Sequence, residues 1–343
     1  MLSRTLPASV LFFSSVLAGC DNAEHKPELI ELRGSTMGTG YSVLGYASDS
    51  VSDEQLQRRI DSLLEQINDQ MSTYRPESEV SRFNGYPGTD WFEVSSETAY
   101  VVKQALTVSR ASGGAFDVTV QPLVSLWGFG SEDARGEVPE QEEILAAAGH
   151  VGFEKIGVRM SPPAIKKDHS SMRIDLSGIA KGYAVDRIAE FLDGEAIETY
   201  LVEIGGELRA RGRKLDGSPW KVAVERPLAG RRSVQQIMRL EDAAVATSGD
   251  YRNYFEEQGR QYSHILDPRR GRPAAAPLAS VTIVARTATY ADAMATALMV
   301  LGPSAGFEFA VEHNLAAFFL IRSDNGLEER ATPRFEPLLL AVD

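Results

Sequence analysis

Between residues 199 and 224 the chain alternates apolar and polar side chains at a period of two, and glycines interrupt the pattern where it has to turn. Residues 199–204, the Gly205-Gly206 pair, residues 207–211 and residues 220–224 therefore read as strands joined by hairpins. Further strands are predicted over 261–266, 280–285 and 315–321, and residues 32–44 look extended, with Gly34, Gly38 and Gly40 spread along them. Helical periods lie between these strands. Ser52 and Gln55 form a capping-box pattern for a helix with apolar positions Leu56, Ile60, Leu63, Leu64, Ile67 and Met71. A second helix spans about 96–112 and stops at Gly113-Gly114. Pro139 and Gly149 bracket a short one, and another runs from about 290 to 301 before Gly302-Pro303. The expected fold class is α+β: antiparallel or mixed sheets with helices packed on them.

The ends of the chain carry different information. An apolar run closes on Leu17-Ala18-Gly19-Cys20 after Arg4, which is the form of a secretory leader with a small-residue cleavage site. L-A-G-C resembles the bacterial lipobox, in which the cysteine becomes the lipidated N-terminus. The organisation expected is a signal peptide over 1–19, a lipidated tether over 20–30 and one catalytic-sized domain over 31–343. Cys20 is the sole cysteine, so the mature domain has neither disulfides nor thiolate metal sites. A net charge of −13 argues against nucleic acid as a partner.

Several chemistries drop out by inspection. The chain has no G-x-S-x-G elbow, no P-loop, and no G-x-G-x-x-G after a strand. Its five histidines form no metal-ligand pair. Oxygen chemistry remains. Asp292 and Thr296, four apart on a predicted helix, share one face and suit a hard cation such as Mg2+. The same spacing also arises from an acid near a helix start and a Thr bonded back to a carbonyl. Residues 173–183 read as a short strand delivering Asp175, a Ser177-Gly178 turn, and a helix stopped by Gly194. An anion could sit at that helix start with Lys181 one turn on; an ordinary cap at Ser177 explains the stretch equally well. His264, expected on a strand, has a reference pKa of about 6.5 that suits proton transfer, and it fits a hydrogen-bonded core position as well.

Taken in order, the motifs resemble one family, the ApbE-type FAD:protein FMN transferases. They are G-S-T-M-G-T (34–39), M-S-T-Y-R-P-E-S-E-V-S-R-F-N (71–84), G-A-F-D-V-T-V-Q-P-L (114–123) and D-L-S-G-I-A-K-G-Y-A-V-D (175–186). I-G-G-E-L (204–208), T-S-G-D-Y (247–251), H-I-L-D-P (264–268) and A-D-A-M-A-T-A (291–297) complete the set. The resemblance implies FAD as substrate, bound Mg2+, and transfer of FMN to a Thr or Ser hydroxyl of an acceptor protein with release of AMP. Acceptors would be subunits of the sodium-pumping quinone reductase or related electron-transport complexes. It also implies site roles. Asp292, Thr296 and the Gly178 carbonyl would hold the metal. Met37, Tyr74, Ala115, Phe116, Asp117, Asp175, Lys181, His264 and Leu266 would line the FAD site. His264 would help deprotonate the incoming hydroxyl, with Asp292 as the second catalytic residue. Asp21, next to the lipidated cysteine, resembles the signal for retention at the inner membrane, which would place the enzyme on its periplasmic face. A Mg2+-dependent FAD pyrophosphatase and a non-catalytic FAD-binding lipoprotein are the alternatives.

Overall fold

The computed structural model describes residues 27–47, 52–130, 136–227, 233–251, 253–274 and 277–340. Cys20 and the rest of the expected leader lie outside the described residues. Eight strands form one wholly antiparallel sheet whose spatial order follows the chain: Glu28–Thr36, Thr39–Ala47, Tyr200–Ile204, Glu207–Arg211, Ala243–Gly249, Leu278–Ala285, Ala316–Ser323 and Gly326–Ala331. Each neighbouring pair is antiparallel, so the expected α+β class holds in its antiparallel form. The other described elements are insertions into the links of this meander, except the turn and short strand at 336–340, which follow its last strand.

Both faces of the sheet are covered, and this explains why its central strands read as unbroken apolar runs. On one face Val202, Ala244, Ala246, Val281, Ile283 and Phe319 pack against the helices Ala180–Gly194 and Ala288–Leu301. On the other, Val245, Phe318 and Leu320 meet Trp220, Val222, Met238 and Leu240 of a small second sheet. The helix Ala288–Leu301 is apolar almost all round because it is an interior helix, with Asp292 and Thr289 its buried polar exceptions.

Several local expectations change. Residues 32–44 are two strands, turned by Met37 and Gly38 at φ of 49° and 73°; two successive left-handed residues suit a tight hairpin. Ser52 precedes the helix Asp53–Met71 but its side chain makes no cap. The predicted strand at 173–175 is an extended coil. The Asn84 side chain takes the place of a partner strand there, accepting from Ile174 N (2.7 Å) and donating to Ile174 O (2.8 Å), while Asp175 N donates to the Val118 carbonyl at 2.7 Å. Ser177 is not the N-cap of the next helix, which begins at Ala180 after Ile179. Gly194 is that helix's last residue, and the left-handed residue beyond it is Ala196, at φ 59°. Gly113, Gly114 and Gly302 do take positive φ at helix ends, as read from their positions.

Candidate functional site

Two helices that start far apart in sequence are fastened end to end by each other's carboxylates. Asp186, on Ala180–Gly194, accepts from the backbone N–H groups of Ala288 (3.0 Å) and Thr289 (2.8 Å) and from the Thr289 hydroxyl (2.6 Å). It thereby satisfies two of the unpaired backbone donors at the start of Ala288–Leu301, and the Thr287 hydroxyl takes a third, Tyr290 N. Asp292, on that second helix, accepts from Gly182 N at 3.0 Å, inside the first turn of the other helix. The close approach needs glycine: a Cβ on Gly182 would lie 2.3 Å from the Ala288 carbonyl oxygen. Gly182 N–H is one of the donors at this helix start that no intrahelical carbonyl serves, and Asp292 serves it; the ladder itself begins at the Ile179 carbonyl, which accepts from Tyr183 N at 3.0 Å, so the Gly178 carbonyl lies outside it.

Around this junction the cation chemistry collects. The Thr296 hydroxyl, one turn from Asp292, lies 3.0 Å from Ser248 Oγ. A Cβ on Gly178 would sit 3.5 Å from Thr296 Oγ1, which places the turn and the hydroxyl side by side. Lys181 Nζ bonds Glu207 at 2.9 Å and stands 3.8 Å from Asp292. Burial pushes the carboxyl pKa of both Glu207 and Asp292 up; the Lys181 ammonium pulls both back down. The second oxygen of Glu207 is buried with no hydrogen-bond partner among the described residues. A carboxylate, a hydroxyl, a turn carbonyl and a buried acid with one unpartnered oxygen make an oxygen-donor set of the kind Mg2+ takes when phosphate and water complete its shell. Among the described residues no group of three or more His, Cys, Asp or Glu converges.

The junction forms one wall of a cavity of about 660 Å3. Tyr74, Ala115, Phe116, Asp117, Asp175, Gly178, Lys181, His264, Leu266, Asp292 and Thr296 all line it. Met37 does not; it packs against the main core from the hairpin turn. The lining residues differ in what they can offer a ligand. Tyr74 is 65% exposed and free to cover one, whereas Leu266 is also a buried member of a minor core cluster. Both oxygens of Asp117 are already engaged, by Thr119 N (2.8 Å), the Thr119 hydroxyl (2.6 Å) and Phe153 N (2.9 Å), so its side chain shapes the loop. Asp175 Oδ1 accepts from Ser177 N at 2.7 Å, closing the turn that presents Gly178.

His264 is not within a strand. It sits at a bend between the strands Arg260–Ser263 and Leu266–Asp267, half-buried, and it edges toward the Phe129 ring. Desolvation lowers its pKa, helped by Lys181; the Asn253 carbonyl, Asp250 and Asp175 act the other way. Asp186, Glu207, Ser248 and Phe129 were missed as site residues. Asp186 carried the clearest signal, being an acid beside Val185 on the apolar face of its helix.

Comparison with known proteins follows this geometry. A family model described as the ApbE family matches residues 37–319. An FAD:protein FMN transferase of Vibrio cholerae is 44% identical over 325 residues, covering 94% of this chain and 96% of that protein. Among solved structures, the flavin transferase ApbE from Vibrio cholerae matches with a TM-score of 0.84 at 43% identity, over 91% of this chain and 100% of that one. The apo form of Pseudomonas stutzeri flavinyl transferase ApbE also gives 0.84, at 39% identity, over 93% and 99% of the two chains.

Proposed function

The chain belongs to the ApbE family, and from that premise we infer that it acts as an FAD:protein FMN transferase. In the proposed reaction an acceptor Thr or Ser oxygen bonds to the FMN phosphorus of FAD, the P–O bond to AMP breaks, and AMP leaves with its phosphate. The observation that supports this reading is the shared cavity wall: Asp292, Thr296 and the Gly178 turn stand beside Lys181, with an imidazole facing the same space. Mg2+ held by Asp292, Thr296 and the Gly178 carbonyl would supply positive charge for the pyrophosphate oxygens. Lys181 adds a fixed cation on the same side. Phe116 and Tyr74 offer aromatic surface to the flat flavin. His264 takes the proton of the attacking hydroxyl.

The test is a reaction of the soluble domain with FAD, Mg2+ and an acceptor peptide, read as flavin fluorescence on a denaturing gel and as released AMP. Fluorescent peptide with stoichiometric AMP is expected. AMP without labelled peptide points to a pyrophosphatase, and FAD binding with no AMP to a carrier. The pH profile adds a second check. A base must be unprotonated to act, and the His264 pKa is lowered, so transfer should rise with pH through a midpoint below the ordinary 6.5 or so. His264→Gln should remove that limb; a retained limb excludes the imidazole as the base.

Anchoring rests on the leader sequence. Lipidation at Cys20 would hold the enzyme at the periplasmic face of the inner membrane and raise its effective concentration near membrane-bound electron-transport acceptors. Cys20→Ser should move the protein from the membrane fraction to the soluble one; unchanged membrane association would reject the anchor.

A further inference from the structure

The hairpin Tyr254–Glu257 with Arg260–Ser263 is flanked by Asn253 and His264, both of which line the cavity, and its register pairs Tyr254 with Ser263. The next rung outward sets Asn253 opposite His264, and His264 N donates to the Asn253 carbonyl at 3.1 Å. The ring reaches the same oxygen, with His264 Nδ1 3.0 Å from Asn253 O. A carbonyl oxygen only accepts, so a neutral imidazole making this bond carries its proton on Nδ1.

We propose that this hairpin is the positioning element of the site: its register fixes His264 as the Nδ1–H tautomer and leaves Nε2 as the lone-pair nitrogen on the cavity side. A two-stranded hairpin of four-residue strands is marginal by itself and needs a support. Here the support is aromatic. Phe255 and Tyr262, directly opposite across the ladder, stack with centroids 5.2 Å apart and an interplanar angle of 18°. Tyr262 also lies 5.7 Å from Trp127, whose indole N–H is fixed to the Gly271 carbonyl at 3.0 Å. Phe129 joins the stack to the site, 5.7 Å from Phe255 and edge-on to His264 at 6.4 Å. Phe255 and Tyr262 do not line the cavity, so their influence on transfer passes through the rung at Asn253 and His264 and through Phe129, which lines the cavity and touches His264.

The proposal rests on the reading of His264 as the base, but its first readout requires no turnover. Nitrogen-15 NMR of histidine-labelled protein, with His264 assigned from His264→Gln, should show Nδ1 protonated and Nε2 of the unprotonated type once the ring is neutral. Protonation on Nε2 overturns the assignment. Tyr262→Ala should shift both nitrogens toward an averaged tautomer and lower kcat roughly ten- to a hundredfold, with KM for FAD unchanged; Tyr262→Phe keeps the stack and should restore both. A Tyr262→Ala protein that stays folded with the original nitrogen shifts and kcat removes the hairpin from the mechanism. A His264→Gln variant that still transfers FMN rejects the base role while the wild-type NMR result stands on its own.

Discussion

Asp292→Asn should lower AMP release from FAD roughly a hundred- to a thousandfold at saturating Mg2+, because the site loses the only charged group among its three expected metal ligands. The fold should survive. Asn keeps an oxygen for Gly182 N–H, and the half-buried Lys181 ammonium keeps Glu207 as its counter-charge. Burial raises the Asp292 carboxyl pKa, so the folded protein binds its proton more tightly than the unfolded chain. Such a group weakens the folded state as pH rises through its unfolded value and stays unfavourable above it. A neutral Asn removes that penalty, and urea unfolding at neutral pH should give a midpoint equal to or above that of the parent. Turnover within tenfold of the parent would reject Asp292 as a metal ligand.

Asp186→Ala is expected to do the opposite, costing stability first and activity as a result. It deletes the acceptor for two backbone N–H groups and a hydroxyl at a buried helix start, and it strips Arg209 of a 2.7 Å partner. Breaking a buried charged cap costs about 3–5 kcal/mol, and Arg209, 23% exposed, can recover part of its loss from water, so about 3 kcal/mol is expected here. The surviving folded protein should also need more Mg2+ for half-maximal AMP release, since the helix that carries Asp292 has lost its anchor. Chemical denaturation and a Mg2+ titration check the two parts separately. A variant with parental stability would show that the cap is dispensable.

What the sequence made legible was local. Period-two alternation located the strands at 199–211, and glycines marked real helix ends at 113–114 and 302. The four-residue spacing of Asp292 and Thr296 put them on one helix with their side chains at one cavity wall, since that relation lies within a single turn. What stayed hidden was set by distant partners. Residues 173–175 are extended only because Asn84, 90 positions earlier, supplies both hydrogen bonds to Ile174. Asp186 shows in the sequence only as an acid on an apolar helix face, and its role needs the donors that follow about a hundred residues later. His264 falls at a bend because Asn253, 11 residues back, closes the rung beneath it. Met37 belongs to the hairpin turn and the main core, which a linear motif cannot separate from a ligand wall.

The crossed carboxylates have one more consequence. Asp186 and its donors are 102 and 103 residues apart, and Asp292 and Gly182 are 110 apart. No early fragment of the chain therefore holds both halves of the junction, and neither helix start is completed until the last third of the polypeptide has docked. The junction therefore works like a two-key lock: a chain still missing its last third holds neither Asp292 nor the donors that Asp186 caps.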